Sequence, residues 1–240
     1  MTAPVNSKRT ISLAQSLGYF TISLVINSLG NVLTLISSDH VHPSFLGSAY
    51  WTAADADLGH AFLGNNAWVL FWAFFGLGVF ISFLNALLLK KLDWKRIGGN
   101  IAFMLPFLLF IQWFANLFES LPQATSWVGN ILYVLLNFFG VFLIGTAISI
   151  YQRVNLVLHS QDDLFQIIRF KYVHGNATVA MWLSYLPPTV FGLIAFLVTG
   201  RIDNIGIGTI FAFLFQGSFT GWADKHVFPK LKHQALDMGN

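Results

Sequence analysis

The chain has 240 residues, 55% of them hydrophobic and 10% charged, with no cysteine, a formal net charge of +3 and a mean hydropathy of +0.65. Soluble domains carry about 25% charged residues, so this composition belongs in lipid. The missing thiols exclude a disulfide framework, a thiolate metal site and a cysteine nucleophile. A pI near 9.2 does not point to nucleic acid, because the basic residues sit in short clusters between apolar runs, a pattern of membrane orientation.

A spanning helix needs about 20 mainly apolar residues. Six runs qualify, at roughly 13–36, 67–89, 97–118, 127–151, 177–199 and 205–223. Lys8 and Arg9 precede the first run as they would in a signal peptide, yet the run is too long for a signal core and lacks a small-residue cleavage site. It reads as a retained helix. Asn27 and Asn31 lie one turn apart on its face. The following connection holds "HVHP" (40–43), Asp55, Asp57 and His60, whose spacing matches no metal signature, so a solvated loop is expected there.

The second run contains "GLG" at Gly76–Gly78, and "KKLDWKR" follows it. The third opens with Gly99 and Asn100 and carries Gln112 and Asn116. The fourth carries Asn130 and Asn137, and after it "DDLFQIIRF" (162–170) suggests a short amphipathic helix on the inner surface. The fifth holds "LPP" at Leu186–Pro188; the sixth opens with Gly208 and Thr209 and carries Gln216 and Ser218. The open N–H groups at the starts of the third and sixth runs favour anionic or hydrogen-bonding ligand atoms.

Twelve of the 13 basic residues share one face if there are six spans with both termini inside, and only Arg201 falls outside. The spans also repeat. "NNAWVLFW" (65–72) echoes "GNATVAMW" (175–182), and pairing residue i with i + 110 aligns Asn66/Asn176, Ala67/Ala177, Trp72/Trp182 and Asp93/Asp203. At an offset of 109 the register continues through Gly99/Gly208, Ile101/Ile210 and Trp113/Trp222. The first helix of each half pairs by order alone. The expectation is an all-α polytopic membrane protein with six transmembrane helices in a 3+3 inverted repeat, N-in and C-in. Residues 1–120 and 121–240 form the two halves of one membrane domain.

Inverted repeats characterise secondary transporters, whose sites lie between the halves at interrupted helices. Gly76–Gly78 and its partner Leu186–Pro188 are the expected interruptions. The expected substrate-lining set is Asn27, Asn31, Gly78, Gln112, Asn137, Pro187, Thr209 and Gln216. No ionisable residue falls in the middle of a span, which argues for a neutral or weakly charged solute or for acids arriving on re-entrant loops. Asp55, Asp57, Asp162 and Asp163 are the candidates, the last two for coupling or gating. No HExxH, GxSxG or P-loop sequence occurs, so neither an enzyme nor a cofactor is expected.

"DDLF" (162–165) followed by "GIGTIFAFLFQG" (206–217) resembles the YczE/YyaS/YitT-like group of bacterial integral membrane proteins. The resemblance places the group's motif aspartate at Asp162 and its Gly-x-Gly-Thr at Gly206, Gly208 and Thr209, mainly in the second half. It implies a multi-pass cell-membrane protein, sometimes described as a permease, and supplies no substrate. The expected function is a small-solute permease contacting the lipid bilayer, as a single chain or a homo-oligomer. The alternatives are a substrate-binding subunit with an energy-coupling partner and a non-transporting membrane scaffold.

Overall fold

The computed structural model describes residues 9–43, 45–64 and 68–238. Asn66 and Ala67, which open the echo, and Lys8 lie outside the described residues. The architecture is α-helical: α1 (Leu13–Asp39), α2 (Tyr50–Leu63), α3 (Val69–Leu89), α4 (Trp94–Phe118), α5 (Trp127–Val154), α6 (Ser160–Ile167), α7 (Ala177–Ser184), α8 (Leu186–Thr199) and α9 (Ile207–His226). A π-helical turn, Ile168–Tyr172, continues α6.

Local chemistry sets the helix starts. Ser12 accepts from the Gln15 N–H while the Gln15 side chain accepts from the Ser12 N–H, a reciprocal cap that begins α1. Asp93 caps α4, Ser126 caps α5 and Asn176 caps α7 in the same way with one bond each.

Five segments are long and apolar enough to cross a membrane: α1, Phe71–Leu89 within α3, α4, α5, and α7 with α8 taken together. Their outward faces carry Leu, Ile, Phe and Trp, the surface that fits lipid. The sixth expected run, α9, has 20 residues and so is about 30 Å long, but Gln216, Ser218, Thr220 and Asp224 keep it out of that group.

The centre of the bundle is the crossing of α1 and α5. A Cβ on Gly30 would lie 2.7 Å from the Gly140 carbonyl oxygen, and one on Gly140 would lie 2.7 Å from the Gly30 oxygen. Two backbones touch there, an approach that only glycine permits and that packs helices tightly without a hydrophobic drive.

Three expectations need correction. The connection at 44–64 is not simply a solvated loop, because most of it forms α2, where Trp51, Ala53, Ala54 and Asp55 are buried. The "DDLFQIIRF" segment does not lie on a surface: Leu164, Phe165, Gln166 and Ile167 are all buried within the bundle. The "GLG" segment does not interrupt its helix. α3 runs unbroken through Gly76 and Gly78, with open space beside Gly76 and Met104 Sδ filling the place of a Gly78 side chain. The partner segment does break. Tyr185 separates α7 from α8, and Pro187 and Pro188, which have no N–H to give, sit in the first turn of the new helix.

One end of the bundle is closed by the segment after α9. The buried Arg153 guanidinium donates to the carbonyls of Val227 (2.8 Å), Phe228 (3.0 Å) and Leu231 (3.2 Å). The Asn155 amide donates to Gln234 and Ala235, and Arg96 and Lys91 hold Asp237. Arg153 and Arg169, counted as loop charges in the sequence, are therefore internal ties around Asp224.

Candidate functional site

α2 and α6 are short helices that start deep in the bundle, and both begin at one small cavity of about 30 Å³. Ala49 is the N-cap of α2 and His159 the N-cap of α6, and both line it. α1 contributes Asn27 and Asn31, α2 contributes Trp51 and Thr52, α6 contributes Gln161 and Asp162, and α9 contributes Gln216. Phe74, Phe107, Ile144 and Ile148 supply the apolar wall. The space admits about one water-sized group.

A hydrogen-bond chain orders the polar side. Thr52 Oγ1 donates to Asn31 Oδ1 at 2.7 Å, and the Asn31 amide donates to Asn27 Oδ1 at 3.1 Å. The Asn27 amide reaches the Tyr151 hydroxyl at 3.4 Å, and that hydroxyl donates to Asp162 Oδ2. Gln161 Nε2 donates to Asp55 Oδ2 at 2.6 Å and so ties α6 to α2. The chain joins four elements through one carboxylate.

Burial sets the charge states. It pushes the Asp55 carboxyl up to about 8 against the opposing pull of the Gln161 bond. Burial also lifts Asp162 to about 7, with the Tyr151 bond opposing and the Asp163 charge adding to the rise. His159 is pushed down to about 3 by burial, so it is neutral near pH 7. Its Nδ1 accepts the Gln161 N–H at 3.3 Å, which puts the ring proton on Nε2, and Nε2 has no partner. Gln216 Oε1 is likewise buried without a partner.

Of the expected residues, Asn27, Asn31, Gln216 and Asp162 meet at this cavity. Asp163 lies next to Asp162 but faces away, gripped by Arg96 (Nη2 to Oδ1 2.5 Å, Nε to Oδ2 2.9 Å) and by the amides of Asn100 and Asn85. It is an ion-pair anchor between α4 and α6. Asn137 donates to the carbonyls of Thr34 and Gly47, and Thr209 donates to the Ser48 carbonyl. Asn137 thus ties α5 to α1 and to the segment leading into α2, and Thr209 holds the start of α9 against that segment, where Ile207 and Gly208 also donate to Phe45 and Leu46. Gly78 packs α3 on α4, Pro187 starts α8, and Gln112 is exposed and bonded to Asn116 at 2.9 Å. None of these last five lines the cavity.

His40, Asp55, Asp57 and His60, weighed as an outer metal group, part company: His40 packs on Tyr133, Asp55 meets Gln161, and Asp57 accepts from Asn204. Among the described residues no three His, Asp or Glu side chains gather as metal ligands. Thr52, Tyr151, His159 and Gln161 are site residues that sequence reasoning did not single out. The signal was available: Thr52 and Asp162 are 110 positions apart, as are Ala49 and His159.

A helical bundle with five segments long and apolar enough to cross a membrane, enclosing two buried helix starts, is the architecture of a helical membrane protein. A family model described as a family of unknown function, DUF6198, matches residues 14–225, and the chain belongs to that family. No curated protein matches the chain, and no solved structure matches it.

Proposed function

We propose that the protein is a multi-pass cell-membrane permease for a small solute, that its two halves are an inverted repeat, and that the central cavity is its site. The carrying observation is how the cavity is lined. Ala49 and His159, the two N-caps, are 110 positions apart, as are Thr52 and Asp162, while Phe107 and Gln216 keep the 109 offset of the later spans. Both members of each pair face the same space. Gly30 and Gly140, which touch, and Asn27 and Asn137 keep the 110 offset as well, so the first helices of the halves share the register. The likeness to YczE/YyaS/YitT-like proteins, carried by Asp162 and the Gly206–Thr209 segment, fits this reading.

In this reading α2 and α6 enter the bilayer from opposite sides and stop near its middle, as the broken helices of transporters do. Non-helical backbone at that depth is tolerated because it is enclosed by protein. The cavity is closed to anything larger than a water-sized group, so passage requires the halves to move. The basic clusters favour an orientation with both termini in the cytoplasm.

Uptake into proteoliposomes across a panel of small labelled solutes tests the function. Saturable uptake that falls at least tenfold in Thr52→Val and Asp162→Asn supports it. Tight vesicles that take up nothing from the panel would defeat it.

A further inference from the structure

We propose that the central cavity binds a small monovalent anion, of the size of a halide, together with a proton on Asp162. This deepens the permease reading and rests on it for the claim that the cavity is a transport site.

The first observation is the set of donors. α2 begins at the cavity with no cap from its N-cap side chain and with the Ala49 N–H taken by Thr34 Oγ1, so the N–H groups of Tyr50, Trp51 and Thr52 retain their partial positive charge. α6 begins there as well, with its Gln161 N–H already taken by His159 Nδ1. The second observation is independent: the His159 ring, 3% exposed, carries an Nε2–H with no partner at the cavity wall. Gln216, 5% exposed, also lines the wall, but its unpartnered atom is Oε1, an acceptor, so it adds no donor. Helix starts and neutral N–H donors suit a single negative charge, because they stabilise it without a counterion that must also be released.

The third observation is which charges are missing. No Lys or Arg lines the cavity, and Arg96, which reaches α6 from α4, is held by Asp163. The one ionisable acid on the wall is Asp162, on the same helix turn that the anion would meet. Ionised, it opposes an anion through a short path of low polarity. Protonated, it becomes a donor, and the anion and proton together enter as a neutral pair.

The groups facing Asp162 do not replace this role. On its own helix are neutral His159 and the paired Asp163; α5 supplies Tyr151, already donating to it. Tyr185, between α7 and α8, has a buried hydroxyl without a partner, and Asp55 on α2 is engaged with Gln161 and does not line the cavity. α4 reaches the region with Arg96 and α9 with uncharged Gln216. Burial also raises Asp162 into the range where the proton is exchanged near neutral pH.

Trp51 lines the cavity and provides the probe. Purified protein in nanodiscs is titrated with the sodium salts of fluoride, chloride and bromide, and then with the choline salts, at pH 6 and pH 9. Tryptophan emission is read against a Trp51→Phe control. One linked proton weakens binding by up to about tenfold per pH unit above its midpoint. The expected result is saturable binding that is at least tenfold tighter at pH 6 with either cation, and binding by Asp162→Asn that is the same at both pH values. Absence of saturable binding by any of the three anions, equal affinity of the wild type at the two pH values, or a signal that follows sodium overturns the proposal. The wild-type comparison decides even if Asp162→Asn does not fold. Anion binding without vesicle flux would leave this site standing and remove the permease reading; flux of a neutral solute without anion binding would do the reverse.

Discussion

Asp162 and Asp163 are neighbours with opposite fates, and the difference comes from what each meets. Asp163 accepts three bonds from one guanidinium and further bonds from two amides, so it is a buried, fully paired charge. Removing its partner leaves a buried carboxylate held by two neutral amides, without a countercharge. Arg96→Ala is expected to destabilise the protein by about 3–5 kcal/mol, and Arg96→Ala with Asp163→Asn by less, because the second change removes the stranded charge. Thermal unfolding in detergent would check the order of the two; equal losses would refute it.

Asp55 gives a pH dependence whose sign is fixed. Its carboxyl ionises near 3.8 in the unfolded chain and near 8 in the folded one. Its contribution is therefore complete below about pH 4 and is lost as pH rises toward about 8. His159 and His233 act the other way: burial pushes them down to about 3 and about 4, so stability falls as acid protonates the unfolded chain below about pH 6.5. Asp55→Asn keeps an acceptor for Gln161 and should make the fall in melting temperature between about pH 7 and pH 8 shallower, where Asp162 and the histidines no longer add to the slope. A profile that keeps its alkaline slope would show that Asp55 is not its source.

Which side chains matter was only partly legible. Asn27, Asn31 and Gln216 stood out because polar residues within apolar runs are expensive and tend to find one another. Gln112 stood out for the same reason but lies on the outer face of α4, bonded to its neighbour one turn on. Polarity in a span identifies a residue that needs a partner and does not say on which side of the helix that partner lies.

Helices α2 and α6 account for most of what the pattern of hydropathy concealed. The α2 segment "YWTAADADLGHAFL" carries two aspartates, and eight-residue α6 carries two in its first turn, so neither resembles a span. Their burial depends on tertiary partners far along the chain: Gln161 for Asp55, Asn204 for Asp57, and Arg96 for Asp163. The long spans needed no such knowledge, because a run of about 20 apolar residues is its own evidence. Gly76–Gly78 misled because glycine weakens a helix in water, whereas in α3 Gly78 makes room for Met104.

The glycines therefore divide by neighbourhood. Gly76→Ala, with open space around it, should be neutral or stabilising by about 0.5–1 kcal/mol, the usual helix preference for alanine. Gly30→Val and Gly140→Val press a side chain into the facing backbone and should cost more than about 3 kcal/mol each or prevent accumulation of folded protein. Melting temperatures of the three variants provide the comparison. A tolerant Gly30 would mean that α1 and α5 do not cross as described.

For the whole molecule, the absence of native cysteine makes topology directly measurable, since each introduced thiol is the only one. Leu92→Cys and Ile202→Cys occupy corresponding positions 110 apart. If the halves are inverted, a membrane-impermeant maleimide should label one from outside intact cells and the other only after the membrane is opened. Labelling of both from the same side would remove the inverted repeat, and with it the argument that Thr52 and Asp162 are equivalent.

The backbone contact between Gly30 and Gly140 also has a mechanical consequence. Two stiff rods joined at one point behave as scissors: spreading the blades on one side of the rivet closes the handles on the other. Both α1 and α5 extend well beyond their contact in each direction, since Gly30 and Gly140 lie inside helices of 27 and 28 residues. Rotation about that rivet would widen one mouth while narrowing the opposite one. A continuous leak through the molecule would then be prevented by leverage, without a separate latch.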